Sequence, residues 1–236
     1  MGRSLLAERG FNVLRVGLTG GLGSGKSTAA RLFEALGARV LYSDEMGRAM
    51  MQPGEAVYRA IVDRFGSGVV LADGALDRVA LGRIAFAEGR VEELNAIVHP
   101  AVIARQAELI AEIGRREPGA VVMVESALLL ETRHGGEDGW RKRFDKVVLV
   151  TAPEEVRVRR YVKRVDAGAS GARLAELEGE ARRRMAMQMS DERKSSLSDY
   201  VVVNAGSVKE LEWQVDRLWP ILAEAATRCG SGERIR

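Results

Sequence analysis

The stretch Val13-Leu14-Arg15-Val16-Gly17-Leu18-Thr19-Gly20-Gly21-Leu22-Gly23-Ser24-Gly25-Lys26-Ser27-Thr28 decides how the chain is read. An apolar run of β type feeds a glycine-rich loop, and the loop opens into a helical pattern at Lys26. Gly20, four residues, then Gly25-Lys26-Ser27 is the spacing of a phosphate-binding P-loop. Glycines let the backbone take positive φ and wrap a polyphosphate closely, so that successive N–H groups converge on the anion. The helix starting near Lys26 adds the positive end of its dipole. On this reading Gly21, Leu22, Gly23, Ser24, Gly25, Lys26, Ser27 and Thr28 hold a nucleotide. Lys26 reaches the β and γ phosphates, and the Ser27 hydroxyl takes one position on a Mg²⁺ ion that keeps several waters.

The 236 residues, 46% apolar and 29% charged, have the composition of a soluble globular protein. They suffice for one large domain or one domain with insertions. No apolar run approaches the roughly 18 residues that a membrane span needs. Residues 1–12 are mixed in charge and lack the apolar core of a signal peptide, which reads as a disordered extension. Leu6 stands where a myristoylation signal wants Ser or Thr. The single Cys229 excludes an internal disulfide and has no clustered metal ligands around it, which points to a reducing cytoplasm. A net charge of +3 does not argue for a nucleic-acid partner.

After the loop, Ala29, Leu32, Phe33 and Leu36 repeat at helical spacing, with Gly37 as the stop. Arg39 to Tyr42 reads as a second strand, ending at Ser43-Asp44. Two readings of Asp44 stay open: a carboxylate facing the ligand crevice of an α/β sheet, or the first residue of the next helix. From Glu45 to Arg116 the pattern is almost wholly helical, too long for an ordinary crossover, and reads as an inserted helical subdomain. Arg48, Arg83, His99 and Arg105 lie in it as candidates for an anionic substrate, against the plainer reading of solvated helix faces. His99-Pro100 is expected to end one helix and start another. Ala120 to Glu125 has the continuous apolar character of a buried parallel strand, and Thr132 to Arg143 reads as a surface loop. A fourth strand, Lys146 to Val150, precedes Thr151-Ala152-Pro153-Glu154, a capping-box pattern with proline in the first turn. Two arginine-dense helices follow, one with Arg157, Arg160 and Arg164, the other with Arg182, Arg183, Arg184 and then Gln188. They are either solvated faces or a lid that closes over phosphates. Tyr200 to Val203 forms a fifth strand ending at Asn204-Ala205-Gly206, and Ser207 to Glu210 caps a last helix carrying Leu211, Val215, Leu218 and Leu222. Five strands alternating with helices, the first followed by a P-loop, imply an α/β fold with a doubly wound five-stranded parallel sheet.

A P-loop identifies polyphosphate binding better than a reaction. No Asn-Lys-x-Asp follows a late strand, as a GTPase would require, and Asp63-Arg64-Phe65-Gly66 follows a helical pattern instead of a strand. Strand three offers a single Glu125 where a motor ATPase would show an acidic pair. A small-molecule kinase needs an acceptor site, a lid and a carboxylate near the attacking hydroxyl, and the chain has candidates for all three. The form of the loop, then Asp44 with Arg48, Val98-His99-Pro100, Leu128-Leu129-Leu130-Glu131, Arg184 with Gln188, Lys194, Asp199-Tyr200 and Asn204-Ala205-Gly206 together resemble the dephospho-CoA kinase family in order and spacing. The resemblance runs from about Val13 to Ala226. Tyr42 replaces the first acid of the family's Asp-Ala-Asp, and Ala127 replaces the proline of its Pro-Leu-Leu.

The resemblance implies transfer of the ATP γ-phosphoryl group to the ribose 3′-hydroxyl of dephospho-CoA, the last step of coenzyme A biosynthesis. It implies a nucleotide-binding core over 13–44, 117–162 and 195–226, a CoA-binding insertion over 45–116, a lid over 163–194 and a flexible tail over 227–236. Asp44, Lys26 and Arg184 are then the catalytic candidates. Asp44, Arg48, His99, Arg83, Arg105, Arg160 and Arg164 bind the substrate dephospho-CoA and its phosphates, Asn204 and Gly206 lie against adenine, and Ser27 holds the metal. Another metabolite kinase, such as one for nucleoside monophosphates, or a nucleotide-switched regulator are the competing readings.

Overall fold

A computed structural model describes residues 12–132 and 139–231. Residues 1–11 of the expected N-terminal extension, 133–138 of the expected surface loop and 232–236 of the tail lie outside the described residues. The chain divides into two compact units, one made of residues up to Leu41 with those from Ile110 on, the other of Tyr42–Leu109.

The first unit is built on a parallel sheet of β1 (Leu14–Thr19), β2 (Arg39–Tyr42), β3 (Val121–Glu125), β4 (Lys146–Thr151) and β5 (Tyr200–Val203), in the order β2-β3-β1-β4-β5. The P-loop strand is therefore central. Leu18 registers with Glu125 on one side, and Thr19 with Leu149 on the other. All five residues of β3 are buried, as a parallel strand covered on both faces requires. Helix α1 (Lys26–Ala35) buries Ala29, Ala30 and Phe33. It packs on β1, β3 and β4 and on α9 (Val208–Gly230), which presents Leu211, Val215, Leu218 and Leu222 inward. The other face holds Val122, Val124, Leu129, Leu130, Trp140, Phe144 and Val147. Helix α1 ends as its sequence dictates: Gly37 takes φ 115°, and the N–H groups of Gly37 and Ala38 reach back to the carbonyls of Glu34 and Phe33. Helices α6 (Glu154–Val165), α7 (Gly171–Ala186) and α8 (Asp191–Ser196) complete this unit. Val158, Tyr161, Val162, Leu177 and Ala181 form a small core joining α6 to α7.

The second unit contains α2 (Ser43–Met50), α3 (Ala56–Phe65), α4 (Arg78–Gly82) and the first part of α5 (Val91–Arg116). Val57, Ile61, Val69, Leu76 and Leu81 make its core. Asp77 caps α4, its carboxylate accepting from the N–H groups of Val79 and Ala80 at 2.9 and 3.0 Å.

Four expectations are corrected. Pro100 does not break the chain into two helices, because α5 runs through it. Proline removes one hydrogen bond, but Leu94, Ile97, Val98 and Ala101 pack against the second unit's core on both sides of it and hold the helix together. Thr151 is not a helix cap. Its hydroxyl donates to Asp191, and α6 begins after Pro153 with no side-chain cap. The stretch before Arg143 is not all surface, since Gly139–Lys142 forms a 3₁₀ turn with Trp140 buried. Residues 227–230, expected in the tail, belong to α9, whose Ala225 and Ala226 are still buried.

Candidate active site

The loop leaves the carboxyl end of β1 and enters α1 through Gly25, which sits at φ 88° and ψ 21°. That left-handed conformation is open to glycine and strained for other residues. It delivers the first N–H groups of α1, which have no intrahelical partner, to the loop's mouth, where an anion is favoured.

One buried carboxylate organises the head of this helix. Lys26 Nζ lies 2.8 Å from Glu125 Oε1, and Ser27 Oγ donates to the same oxygen at 3.2 Å. Glu125 is 3% exposed, and a carboxylate so buried must be compensated by charge or hydrogen bonds. Its compensation here comes from the two P-loop side chains expected to meet phosphate and metal. Glu125 is absent from the residues chosen on sequence. The available signal was its place at the carboxyl end of the strand beside the P-loop strand.

Arg157, 9% exposed, approaches the loop from α6. Its Nε donates to the Leu22 carbonyl at 2.8 Å, and its NH1 to Asp191 Oδ2 at 3.0 Å. The Leu22 N–H donates to Gln188 Oε1 at 2.9 Å. Asn204 Nδ2 donates to the Ser24 carbonyl at 2.8 Å, and Asn204 Oδ1 accepts from Arg160 NH2 at 3.1 Å. The Asn204 amide is thus committed to the loop. Arg160 also donates to the carbonyls of Gly23 and Ser24 at 3.5 and 3.4 Å, and burial with Arg159 beside it lowers its pKa.

The remaining lid arginines are placed differently. Arg184 pairs with Glu180 at 2.6 Å, and the guanidinium groups of Arg164 and Arg184 lie 5.7 and 5.6 Å from the Tyr161 ring centre. A hydrogen bond from Tyr161 and the charge of Arg184 hold the Glu180 carboxyl below its usual range. The described contacts of Arg184 therefore serve the packing of α7 on α6, while Arg157 and Arg160 meet the loop. On the outer surface, Arg182 ties α7 to Glu154 and Glu155 at 3.1 and 3.2 Å.

Behind the loop, Lys194 is completely buried, 2.9 Å from Glu131 Oε1 and 3.4 Å from the Ala127 carbonyl. The same carbonyl accepts from Thr19 Oγ1 at 3.4 Å. Lys194 thereby joins α8 to the turn after β3 and to the end of the P-loop strand.

Within the second unit, Asp44 lies exposed in the first turn of α2 and Arg48 exposed in its last. The Gln106 amide, 3% exposed, donates to Ser43 Oγ at 2.9 Å and so fixes the start of α2 to α5. His99 is half-buried on α5, Arg83 is exposed in a π-helical turn over Arg83–Ala87, and Arg105 pairs with Glu108 at 3.0 Å. These five of the seven substrate-binding candidates fall in Tyr42–Leu109, whereas Arg160 and Arg164 lie on α6 in the other unit.

A parallel sheet with a phosphate loop after its central strand, a separate helical unit inserted after β2 and a basic helical pair after β4 defines the P-loop kinases of small molecules. The family profile for dephospho-CoA kinase matches residues 14–210, and the chain belongs to that family. A dephospho-CoA kinase of Geobacter sulfurreducens is 38% identical over 205 residues, 86% of this chain and 96% of that protein. One of Methylococcus capsulatus is 39% identical over 207 residues, 87% and 95%. A crystal structure of a Thermus thermophilus protein, 32% identical, superposes with a TM-score of 0.67 over 89% of this chain and 98% of that one.

Proposed function

We propose that the protein transfers the γ-phosphoryl group of ATP to the ribose 3′-hydroxyl of dephospho-CoA, giving CoA and ADP, as a cytoplasmic enzyme. The observation that carries this reading is the pairing of Lys26 and Ser27 on Glu125 at the head of α1, in a chain of this family. ATP replaces Glu125 as the partner of Lys26, which then holds the β and γ phosphates as a point charge. Ser27 and Glu125 supply the hard, oxygen-only donors that suit Mg²⁺, an ion that keeps most of its waters and takes phosphate oxygens. When bound, the ion neutralises charge on the transferring phosphoryl group. Asp44 accepts the proton of the attacking hydroxyl or orients it. Arg48, His99, Arg83 and Arg105 bind the acceptor, Arg160, Arg164 and Arg184 face phosphates when α6 and α7 close, and Gly206 lies near the adenine.

Incubation with Mg-ATP and dephospho-CoA, followed by chromatographic separation of CoA from dephospho-CoA and of ADP from ATP, tests the proposal. CoA and ADP are expected in equal amounts. Turnover confined to nucleoside monophosphates, or nucleotide hydrolysis with no phosphorylated metabolite, would replace it with one of the two competing readings.

A further inference from the structure

Both backbone polar groups of Leu22, inside the phosphate loop, are taken by side chains far along the chain. Its N–H donates to Gln188 Oε1 at 2.9 Å, two residues past the end of α7, and its carbonyl accepts from Arg157 Nε at 2.8 Å, in α6. Arg157 is itself pinned, since its NH1 donates to Asp191 Oδ2 at 3.0 Å and that oxygen also accepts from Thr151 Oγ1. The glycines make this approach possible. A Cβ on Gly21 would stand 3.1 Å from Arg157 Cζ and 3.2 Å from Gln188 Oε1, and one on Gly23 would stand 2.9 Å from the Arg157 carbonyl carbon. The loop is therefore glycine-rich toward α6 as well as toward a phosphate.

We propose that Arg157 and Gln188 are positioning residues that make the loop's phosphate-binding shape depend on how α6 and α7 are seated. They act on the nucleotide through the backbone of Leu22. Gln188 fixes the peptide group before Leu22 and Arg157 the one after it, while Asp191 and Thr151 set the guanidinium's orientation. Coupling of this kind is reciprocal: seating the hairpin favours ATP, and ATP steadies the hairpin. The proposal rests on reading the loop as the ATP site.

The test is Mg-ATP affinity by titration calorimetry, with KM for each substrate, in the wild type and in Arg157→Ala, Gln188→Ala and the double variant. Each single change is expected to weaken ATP about five- to tenfold, within the usual range of coupling between sites. The double variant should lose less than the product of the two, because both residues hold the backbone of one residue, Leu22. KM for dephospho-CoA should stay unchanged. Arg157→Lys should fail to rescue, since an ammonium cannot span Leu22 and Asp191 as the planar fork does. Arg182→Ala, which breaks the surface pairs with Glu154 and Glu155 on α6 and a 3.7 Å pair with Glu178 within α7, should lower the melting temperature and leave ATP affinity alone. Unchanged ATP affinity in folded Arg157→Ala and Gln188→Ala overturns the proposal, as does an equal loss in Arg182→Ala. If Arg157→Ala fails to fold, Asp191→Asn keeps the acceptor and removes the charge, and it should weaken ATP by about twofold or more. A wild type that binds Mg-ATP but phosphorylates another acceptor overturns the functional reading alone, whereas one that does not bind Mg-ATP overturns both.

Discussion

At the scale of single residues, Glu125 Oε1 is the atom on which the donor side of the site turns, because Lys26 and Ser27 both rest on it. On the proposed reading, binding of ATP exchanges that carboxylate for phosphate at Lys26. The exchange would strand a buried charge unless Glu125 passes to water or metal around Ser27. Glu125→Gln is therefore expected to raise the Mg²⁺ concentration required and to lower kcat/KM about 10- to 100-fold, the usual cost of removing a group that supports a metal ligand. Activity measured as a function of Mg²⁺ checks this, and an unshifted Mg²⁺ dependence would contradict it. Lys26→Ala and Asp44→Asn should separate in another way. The lysine variant loses both ATP affinity and rate. Asp44→Asn should bind ATP normally and lose about 10²–10⁴-fold in kcat, the range for a general base; wild-type kcat would remove Asp44 from the mechanism. Lys26 and Ser27 stand out in the sequence because the P-loop is a local pattern with its own chemistry, whereas Asp44 is singled out only by the family resemblance. Arg157 and Gln188 show there only as part of a basic helical stretch, because their contacts with Leu22 and Asp191 are made more than 30 residues away.

At the scale of elements, what decided the outcome was the competition between local signals and packing. The Ser207 box behaves as its pattern suggests, with Ser207 Oγ accepting from the Glu210 N–H at 3.3 Å. The Thr151 box fails because Asp191 offers its hydroxyl a charged acceptor, and such a bond is about twice as strong as a neutral one. Two ionic clusters give testable consequences. Glu93 on α5 accepts from Arg90 at 2.8 and 2.9 Å and from Arg64 on α3 at 2.6 Å. These arginines, Arg90 first, bring its carboxyl from 4.5 down to about 2. A depressed folded-state value means that the stabilisation is complete above the unfolded value and is lost as pH falls from 4.5 toward about 2. Thermal melts should show Glu93→Gln less stable than the wild type at pH 7, with the gap narrowing below pH 4.5 and closing only as pH approaches about 2. A gap that is constant with pH would mean that the charge contributes nothing. Lys194 is the stronger case, being fully buried, with Glu131 retaining 20% exposure of its side chain. Lys194→Met should cost about 3 kcal/mol, the low end for breaking a buried pair, because Glu131 can still turn to water. Urea denaturation of the two proteins measures it.

At the scale of the whole molecule, the five apolar runs and the loop after the first were enough to infer a parallel α/β sheet. The order β2-β3-β1-β4-β5 was not legible, because no residue in a strand announces its neighbour. The edge of the inserted unit was also hidden. Helix α5 crosses from Leu109 to Ile110 without a break, so neither composition nor periodicity marks the boundary, and the helical pattern alone carried the expected limit on to Arg116. The division into two units has a consequence for binding, because the donor-side residues lie in one unit and the proposed acceptor residues in Tyr42–Leu109. A ligand slows hydrogen exchange where its contacts stabilise the fold, and at about 100 times its Kd it adds about 2.7 kcal/mol to the state it binds. Mg-ATP alone is therefore expected to protect residues 20–28 and the amides of α6 and α7, the last through the two hydrogen bonds to the Leu22 backbone. Dephospho-CoA alone should protect α2 and residues 91–105 of α5 while leaving residues 20–28 at their free rate. Exchange mass spectrometry with each ligand separately reads both patterns. Protection of the P-loop by dephospho-CoA without any in α2 or α5 would move the acceptor site out of the inserted unit, and with it Asp44, Arg48 and His99 from their proposed roles.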